Sequence, residues 1–209
     1  MIYMNVVQFE AIIWSLITFI LSLGLTFLAW RKYDRSKSKM WLFWFLGFVL
    51  FSVGTLCQVL FAFGISNYPL SAIYVFVVAE LVLVLSLGSI QQIPQKFVKL
   101  YYVYSVIASI ILVIAILAQS FNVVEDYLPM NYPPLVVSAS SVVTIPGTGV
   151  ILFLAARAIL FKANPLKMSM VILGIVILAF GGMLAASGFY IALYISEIVG
   201  MSLFLYGIY

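Results

Sequence analysis

The sequence has no histidine, a single cysteine and few charged side chains. Without histidine, the chain lacks the most common protein ligand for haem and transition metals. The lone cysteine, Cys57, excludes an intramolecular disulfide and a CxxC metal site. No paired aspartates and no serine or cysteine nucleophile with a basic partner are recognisable, so we expect neither an enzyme nor a cofactor.

The low charge content also excludes an ordinary water-soluble domain. Charged residues make up 8% of the chain and hydrophobic residues 66%, whereas soluble domains carry about 25% charged residues. Lipid must therefore surround most of the side chains, and the bilayer is the expected partner. The net charge of +4 does not indicate nucleic-acid binding, because cytoplasmic loops of membrane proteins collect lysine and arginine.

Long apolar runs give the number of predicted helices. A helix needs about 20 apolar residues to cross a bilayer, and seven runs approach this length. They cover residues 8–30, 41–64, 69–91, 100–120, 134–160, 166–187 and 189–209. The last two runs are separated by Ser187-Gly188, which predicts a tight turn. The sequence thus predicts an all-α polytopic membrane bundle of seven transmembrane helices in one domain, residues 1–209.

The distribution of charge predicts the orientation of these helices. All basic residues fall in or beside the first, third and fifth connections between the spans. They are Arg31, Lys32, Arg35, Lys37, Lys39, Lys96, Lys99, Arg157, Lys162 and Lys167. The fourth connection instead carries Glu125 and Asp126. By the positive-inside rule, a multi-pass protein of the cell membrane is expected, with its N-terminus outside and its C-terminus in the cytoplasm.

Two pairs of spans share a sequence pattern. Gly47 and Gly54 in span two have the same seven-residue spacing as Gly174 and Gly181 in span six. Spans three and seven each carry one glutamate, within Ala79-Glu80-Leu-Val and Ser196-Glu197-Ile-Val. This pattern predicts a 3+1+3 arrangement, in which spans 1–3 and 5–7 are parallel repeats joined by span four. Chance similarity between helices rich in leucine and valine is the alternative.

Glu80 and Glu197 are the candidate functional residues. A carboxylate near the bilayer centre costs about 2.5 kcal/mol or more, so it normally faces the bundle interior and has a partner. Counted from the predicted span starts, the two glutamates lie at similar depths with no basic residue beside them. A proton-linked or cation-binding site between spans three and seven is one interpretation. The other is a pair of neutral acids that hydrogen-bond helices together.

Span five adds a second polar feature. Thr144 and Thr148 belong to a stripe of hydroxyl side chains at helical spacing, and Pro146-Gly147 interrupts the helix between them. Proline removes a backbone hydrogen bond and frees a carbonyl that needs a partner. The predicted kink either lines a cavity or is a packing feature satisfied by serine and threonine. Gln58 on span two is expected to extend an internal polar network with these residues.

Several short stretches resemble a family of prokaryotic seven-helix membrane proteins to which no activity is assigned. These stretches are Phe45-Leu-Gly-Phe-Val-Leu-Phe-Ser-Val-Gly-Thr, Leu87-Gly-Ser, Thr144-Ile-Pro-Gly-Thr and Leu193-Tyr-Ile-Ser-Glu-Ile-Val-Gly. The resemblance implies the same topology and adds no activity. In that family the position of Gln58 often carries an acidic residue. Because Gln58 is uncharged, a charge network of the family that depends on this position is not expected to be the same here. The topology is also similar to that of microbial rhodopsins, but the seventh span has no lysine for a retinal Schiff base.

Two functions fit these features. The first is a sensor or small transporter that responds to a ligand or to protons, with a polar cavity lined by Glu80, Glu197 and Thr144. The second is a non-catalytic structural or partner-binding subunit of a membrane complex, with a filled core. The partners expected beside the bilayer are accordingly a small ligand, a proton or another membrane protein.

Overall fold

Seven α-helices make up most of the described chain. The computed structural model describes residues 6–161, 164–186, 189 and 191–208. The helices are α1 (Val6–Ser36), α2 (Lys39–Ala62), α3 (Tyr68–Ser89), α4 (Gln95–Leu117), α5 (Pro134–Leu160), α6 (Pro165–Ala186) and α7 (Ile191–Ile208). The all-α class is confirmed, and the helices occupy the predicted apolar runs. The predicted turn at Ser187-Gly188 lies outside the described residues.

The apolar helices indicate a membrane protein. Within the described residues, α1 to α5 are long and apolar enough to cross a bilayer, while α6 and α7 contain shorter apolar stretches, Pro165–Gly181 and Ile191–Phe204. Large apolar side chains also cover the outer surface. Ile20, Leu117 and Ile145, for example, are 68%, 71% and 69% exposed. Such extensive apolar surface is suited to lipid and not to water.

Six of the helices form a ring. Each of α1, α2 and α3 packs on the next, α3 packs on α5, and α5, α6 and α7 continue the ring until α7 meets α1. α4 lies outside the ring, against α3 and α5. Both α2 and α3 are therefore largely buried, whereas α1 and α4 present most of their surface outward. The ring encloses the space in which the candidate site lies.

Hydroxyl groups join α1 to α2. The buried residues of α1 recur every three or four positions, as expected for one face of a helix. They are Ala11, Ser15, Thr18, Ser22, Leu25 and Ala29. Ser22 Oγ lies 3.1 Å from Thr55 Oγ1, and Thr26 Oγ1 donates to the Phe48 carbonyl at 2.9 Å. Small polar residues commonly hold membrane helices together in this way.

Glycines bring α6 and α7 into close backbone contact. A Cβ atom added to Gly174 would lie 2.6 Å from the Gly200 carbonyl oxygen, and one added to Gly207 would lie 2.5 Å from the Lys167 carbonyl oxygen. Gly181 similarly faces Ser196 and Ala192 of α7. These helices can approach so closely only because the glycines have no side chain.

A short hairpin covers one end of the ring. Val124–Glu125 pairs with Leu128–Pro129 in antiparallel fashion, and the two turn residues, Asp126 and Tyr127, both have positive φ. The hairpin is anchored to α3, because the backbone N–H of Val123 donates to Ser71 Oγ at 3.2 Å. Leu128 is buried with Ala11, Ala62 and Tyr194. The hairpin therefore holds the connector that follows it over the interior.

Candidate functional site

A cavity of about 420 Å³ lies inside the ring. Side chains of α2, α3, α5, α6 and α7 line it, together with Tyr132 from the connector before α5. The polar lining residues are Thr55, Gln58, Tyr74, Tyr132, Thr148 and Glu197. The other lining residues are aliphatic or aromatic, apart from Met201 and Gly54. A mostly apolar cavity with a few converging polar groups is typical of a site for a small molecule.

Gln58, Tyr74 and Glu197 meet at the hairpin side of the cavity, and we call this group the polar end. Gln58 Nε2 donates to Glu197 Oε1 at 2.9 Å and to the Tyr74 hydroxyl at 3.3 Å. Gln58 is 2% exposed. It lies four residues before the end of α2, while Tyr74 and Glu197 each lie six residues past the start of their helices. The three side chains meet because they lie at similar depths, measured from the same side of the bundle.

The polar end has unused hydrogen-bonding capacity. Within the described residues, Gln58 Oε1 and Glu197 Oε2 are buried without a hydrogen-bond partner. The same is true of the Tyr194 hydroxyl, which is close enough to Glu197 to interact electrostatically. A buried polar atom without a partner costs about 1–3 kcal/mol, so such atoms normally have water, an ion or a ligand beside them. Gln58 and Glu197 line the cavity and Tyr194 does not, so the two unpartnered atoms Gln58 Oε1 and Glu197 Oε2 mark this end as the candidate binding site.

Glu80 lies elsewhere. Its side chain is buried against Ser109 of α4, and it does not line the central cavity. No hydrogen bond joins it to Glu197 within the described residues. Glu80 is twelve residues past the start of α3, whereas Glu197 is six past the start of α7. At 1.5 Å per residue their depths differ by about 9 Å. The expected site between spans three and seven instead joins α2, α3 and α7 around Gln58.

The residues predicted on span five are divided between two surroundings. Thr148 lines the cavity, and Thr144 is not among the lining residues. Pro146 lies within a continuous α5, where it leaves the carbonyl of Val142 without its helical donor. The Tyr104 hydroxyl of α4 donates to that carbonyl. The freed carbonyl is thus satisfied by a tyrosine of a neighbouring helix and not by serine or threonine.

Gly147 provides the contact between α5 and α3. A Cβ atom at this position would lie 3.2 Å from Val82 Cγ1 and 3.3 Å from the Val82 carbonyl oxygen. The predicted Pro146-Gly147 feature therefore packs α5 on α3, and it places Thr148 beside the cavity. Gly147 itself has a packing role, and neither Pro146 nor Gly147 is among the residues that line the central cavity.

Tyr74 and Tyr132 were missed by the sequence reasoning. Tyr74 could have been found from its depth, because Gln58 and Tyr74 lie at similar distances from the short connection between α2 and α3. Tyr132 is brought near Tyr74 and Glu197 by the hairpin that precedes it. Helical spacing could not identify Tyr132, since it lies in a connector outside any helix.

A second cavity of about 240 Å³ lies toward the basic end of the bundle. Ile151 lines both cavities. Trp44, which lines the second cavity, stacks on Phe204, which lines the first, with ring centroids 5.3 Å apart and an interplanar angle of 16°. Trp44 Nε1 is buried without a partner in the described part of the chain. We call this stacked pair, Trp44 and Phe204, the aromatic layer between the two cavities.

The described residues contain no group of three or more histidine, cysteine, aspartate or glutamate side chains that could hold a metal ion. Comparison of the chain with protein-family models, curated proteins and solved structures finds no match. The resemblance to a seven-helix family stays a prediction.

Proposed function

We propose that the chain is a seven-span protein of the cell membrane that binds a small amphipathic molecule in its central cavity, as a sensor or a transporter. The observation that carries this proposal is the apolar cavity wall with the unpartnered atoms Gln58 Oε1 and Glu197 Oε2 at one end. A structural subunit needs no such space, and burying these atoms without a ligand would cost it stability. The cavity therefore favours ligand binding over the structural alternative.

The distribution of charge supports seven spans with an external N-terminus. The basic residues cluster at the α1–α2 connection, the start of α4, the end of α5 and the start of α6, with Lys162 outside the described residues. Glu125 and Asp126 belong to the hairpin at the opposite end. The positive-inside rule then assigns the hairpin to the outside.

Cysteine labelling tests this orientation. Cys57 is the only cysteine and is buried, so Cys57→Ala provides a background for single cysteines. We expect a membrane-impermeant maleimide to label Asp126→Cys in intact cells, because this residue belongs to the hairpin turn. Ser36→Cys, at the end of α1, should react only after lysis. The reverse pattern would contradict the orientation, and labelling of both in intact cells would contradict the three spans between Ser36 and Asp126.

The 3+1+3 arrangement is also part of the proposal. Gly47 and Gly54 face α3, and Gly174 and Gly181 face α7, so each glycine pair contacts the helix that follows it. This common contact supports the similarity between spans two and six. The matched glutamates have different surroundings, since only Glu197 lines the central cavity.

Transport is favoured over sensing by one observation. The second cavity lies toward the basic end, Ile151 lines both cavities, and the aromatic layer links the wall of one to the wall of the other. Two cavities in series with a thin barrier are suited to alternating access, in which a central site opens to either side of the membrane. Transport is therefore the second candidate function.

Filling the cavity tests the proposed binding. Ala179 of α6 lines the central cavity and is itself exposed, so Ala179→Phe would place an aromatic ring at the open side of the cavity. The purified protein is titrated in an uncharged maltoside detergent with octylamine, octanol or octanoate, and the midpoint of thermal unfolding is recorded. A bound ligand stabilises the folded state, so at least one probe should raise the midpoint of the wild type and not of Ala179→Phe. If each of the three probes changed the midpoint of the wild type and of Ala179→Phe equally, a binding cavity would be contradicted.

A further inference from the structure

We infer that the central cavity selects a molecule with an ammonium head and an apolar body, with the head at Glu197 and Gln58 and the body directed toward Phe204. This inference rests on the proposed function and adds the chemical class of the ligand. It follows from three properties of the cavity: the hydrogen-bonding groups left free, the balance of charge and the position of the apolar wall.

The first property is the kind of hydrogen-bonding group that is left free. Both hydrogens of the Gln58 amide are in use, one toward Glu197 Oε1 and one toward the Tyr74 hydroxyl. Among the lining residues that the structure describes, Gln58 Oε1 and Glu197 Oε2 remain without a partner. An amide oxygen only accepts hydrogen bonds, and so does an ionised carboxylate. A ligand that satisfies both atoms must therefore donate at least two hydrogen bonds, which a primary ammonium does.

The second property is the balance of charge. Glu197 is the only acidic residue among the lining residues, and none of them is lysine or arginine. Within the described part of the chain, the carboxylate therefore has no protein cation at the cavity. A charge within the membrane is normally paired, and a cationic ligand would supply the missing partner. A charge-assisted hydrogen bond between ammonium and carboxylate is also roughly twice as strong as a neutral one.

The third property is the apolar wall. Phe204 lies seven residues beyond Glu197 on α7, which corresponds to roughly 10 Å along the helix. The rest of the wall is largely apolar and includes Leu81, Leu178 and Met201. A small inorganic cation would leave this wall in contact with empty space or water. An apolar body of roughly this length would instead bury it.

The three eight-carbon probes test the head group directly. They share one apolar chain and differ only in carrying an ammonium, a hydroxyl or a carboxylate. For the wild type in maltoside detergent, we expect the apparent Kd of octylamine, taken from the concentration dependence of the unfolding midpoint, to be at least about tenfold lower than that of octanol. Octanoate should bind most weakly, because two carboxylates would face each other.

Two variants test whether Glu197 causes the preference for octylamine. Glu197→Gln keeps the shape and removes the charge, so it should weaken octylamine binding about tenfold or more while leaving octanol binding within about threefold. Glu80→Gln is the matched control, since Glu80 is a buried glutamate that does not line the central cavity, and it should keep the preference for the amine. If Glu197→Gln does not fold, the ranking of the three probes on the wild type still decides the question.

The outcomes separate this inference from the proposal beneath it. Equal affinities for octylamine and octanol, or a preference for the amine that survives in Glu197→Gln, would overturn the ammonium assignment while Ala179→Phe could still show that the cavity binds. No binding of any probe would overturn both. Competition by added phosphatidylethanolamine would support the ammonium site and identify a lipid head group as its source, whereas no competition would support a free amine.

Discussion

Replacing Gly174 with alanine is expected to lower the free energy of unfolding by about 2 kcal/mol, although it adds only one methyl group. The added carbon would lie 2.6 Å from the Gly200 carbonyl oxygen and 3.1 Å from the Phe204 backbone nitrogen. Both contacts are with backbone atoms, which cannot rotate away as a side chain can. α6 and α7 would have to separate, and α7 carries Glu197 and Phe204 of the cavity.

Other helical glycines provide the control for this prediction. Gly24 in α1 and Gly149 in α5 have no atom within 4 Å of an added Cβ. Alanine favours helix by about 1 kcal/mol over glycine, so Gly24→Ala and Gly149→Ala should be neutral or stabilising. Unfolding of the purified proteins by SDS would measure the difference. Equal stability of Gly174→Ala and Gly149→Ala would mean that α6 and α7 do not pack through Gly174.

The helices could be largely predicted from the sequence. Apolar length gave each helix its range, since a membrane helix must satisfy its backbone internally over about 20 residues. The seven-residue spacing of Gly174 and Gly181 indicated a repeat, but it did not identify the helix that these glycines contact. Lipid is as apolar as a protein core, so an apolar sequence does not show which side of a helix faces its neighbours. The ring order therefore required the structure.

The candidate site could also be predicted only in part. Glu197 and Gln58 stood out as polar groups within apolar runs, and they do line one cavity and share a hydrogen bond. The expected pairing with Glu80 failed because the span limits at α7 were uncertain by a few residues, and depth was counted from them. The predicted starts, residues 69 and 189, place the two glutamates three residues apart in depth, whereas the observed starts, Tyr68 and Ile191, place them six residues or about 9 Å apart.

Phe204→Ala is expected to produce the second large effect, because it should change both the stability of the protein and the length of ligand that the cavity prefers. Phe204 is 3% exposed, stacks on Trp44 and contacts Phe48 at a ring-centroid distance of 6.1 Å. Truncation of a buried phenylalanine costs about 3 kcal/mol or more. Phe153→Ala is the control, because Phe153 is 65% exposed on the outer surface and should change stability little.

The effect on ligand length follows from the position of Phe204. Its ring lies in the aromatic layer, so its removal should join the central cavity to the second cavity and lengthen the space available to an apolar body. In the wild type, dodecylamine should bind no better than octylamine, because its chain would reach Phe204. In Phe204→Ala, dodecylamine should bind at least about tenfold more tightly than octylamine, since each additional buried methylene contributes about 0.8 kcal/mol.

Phe204→Leu is the control for ligand length, because it retains much of the side chain and should keep the wild-type order of the two amines. An unchanged order in Phe204→Ala would show that Phe204 does not end the cavity, and transport through the two cavities would then lose its structural support.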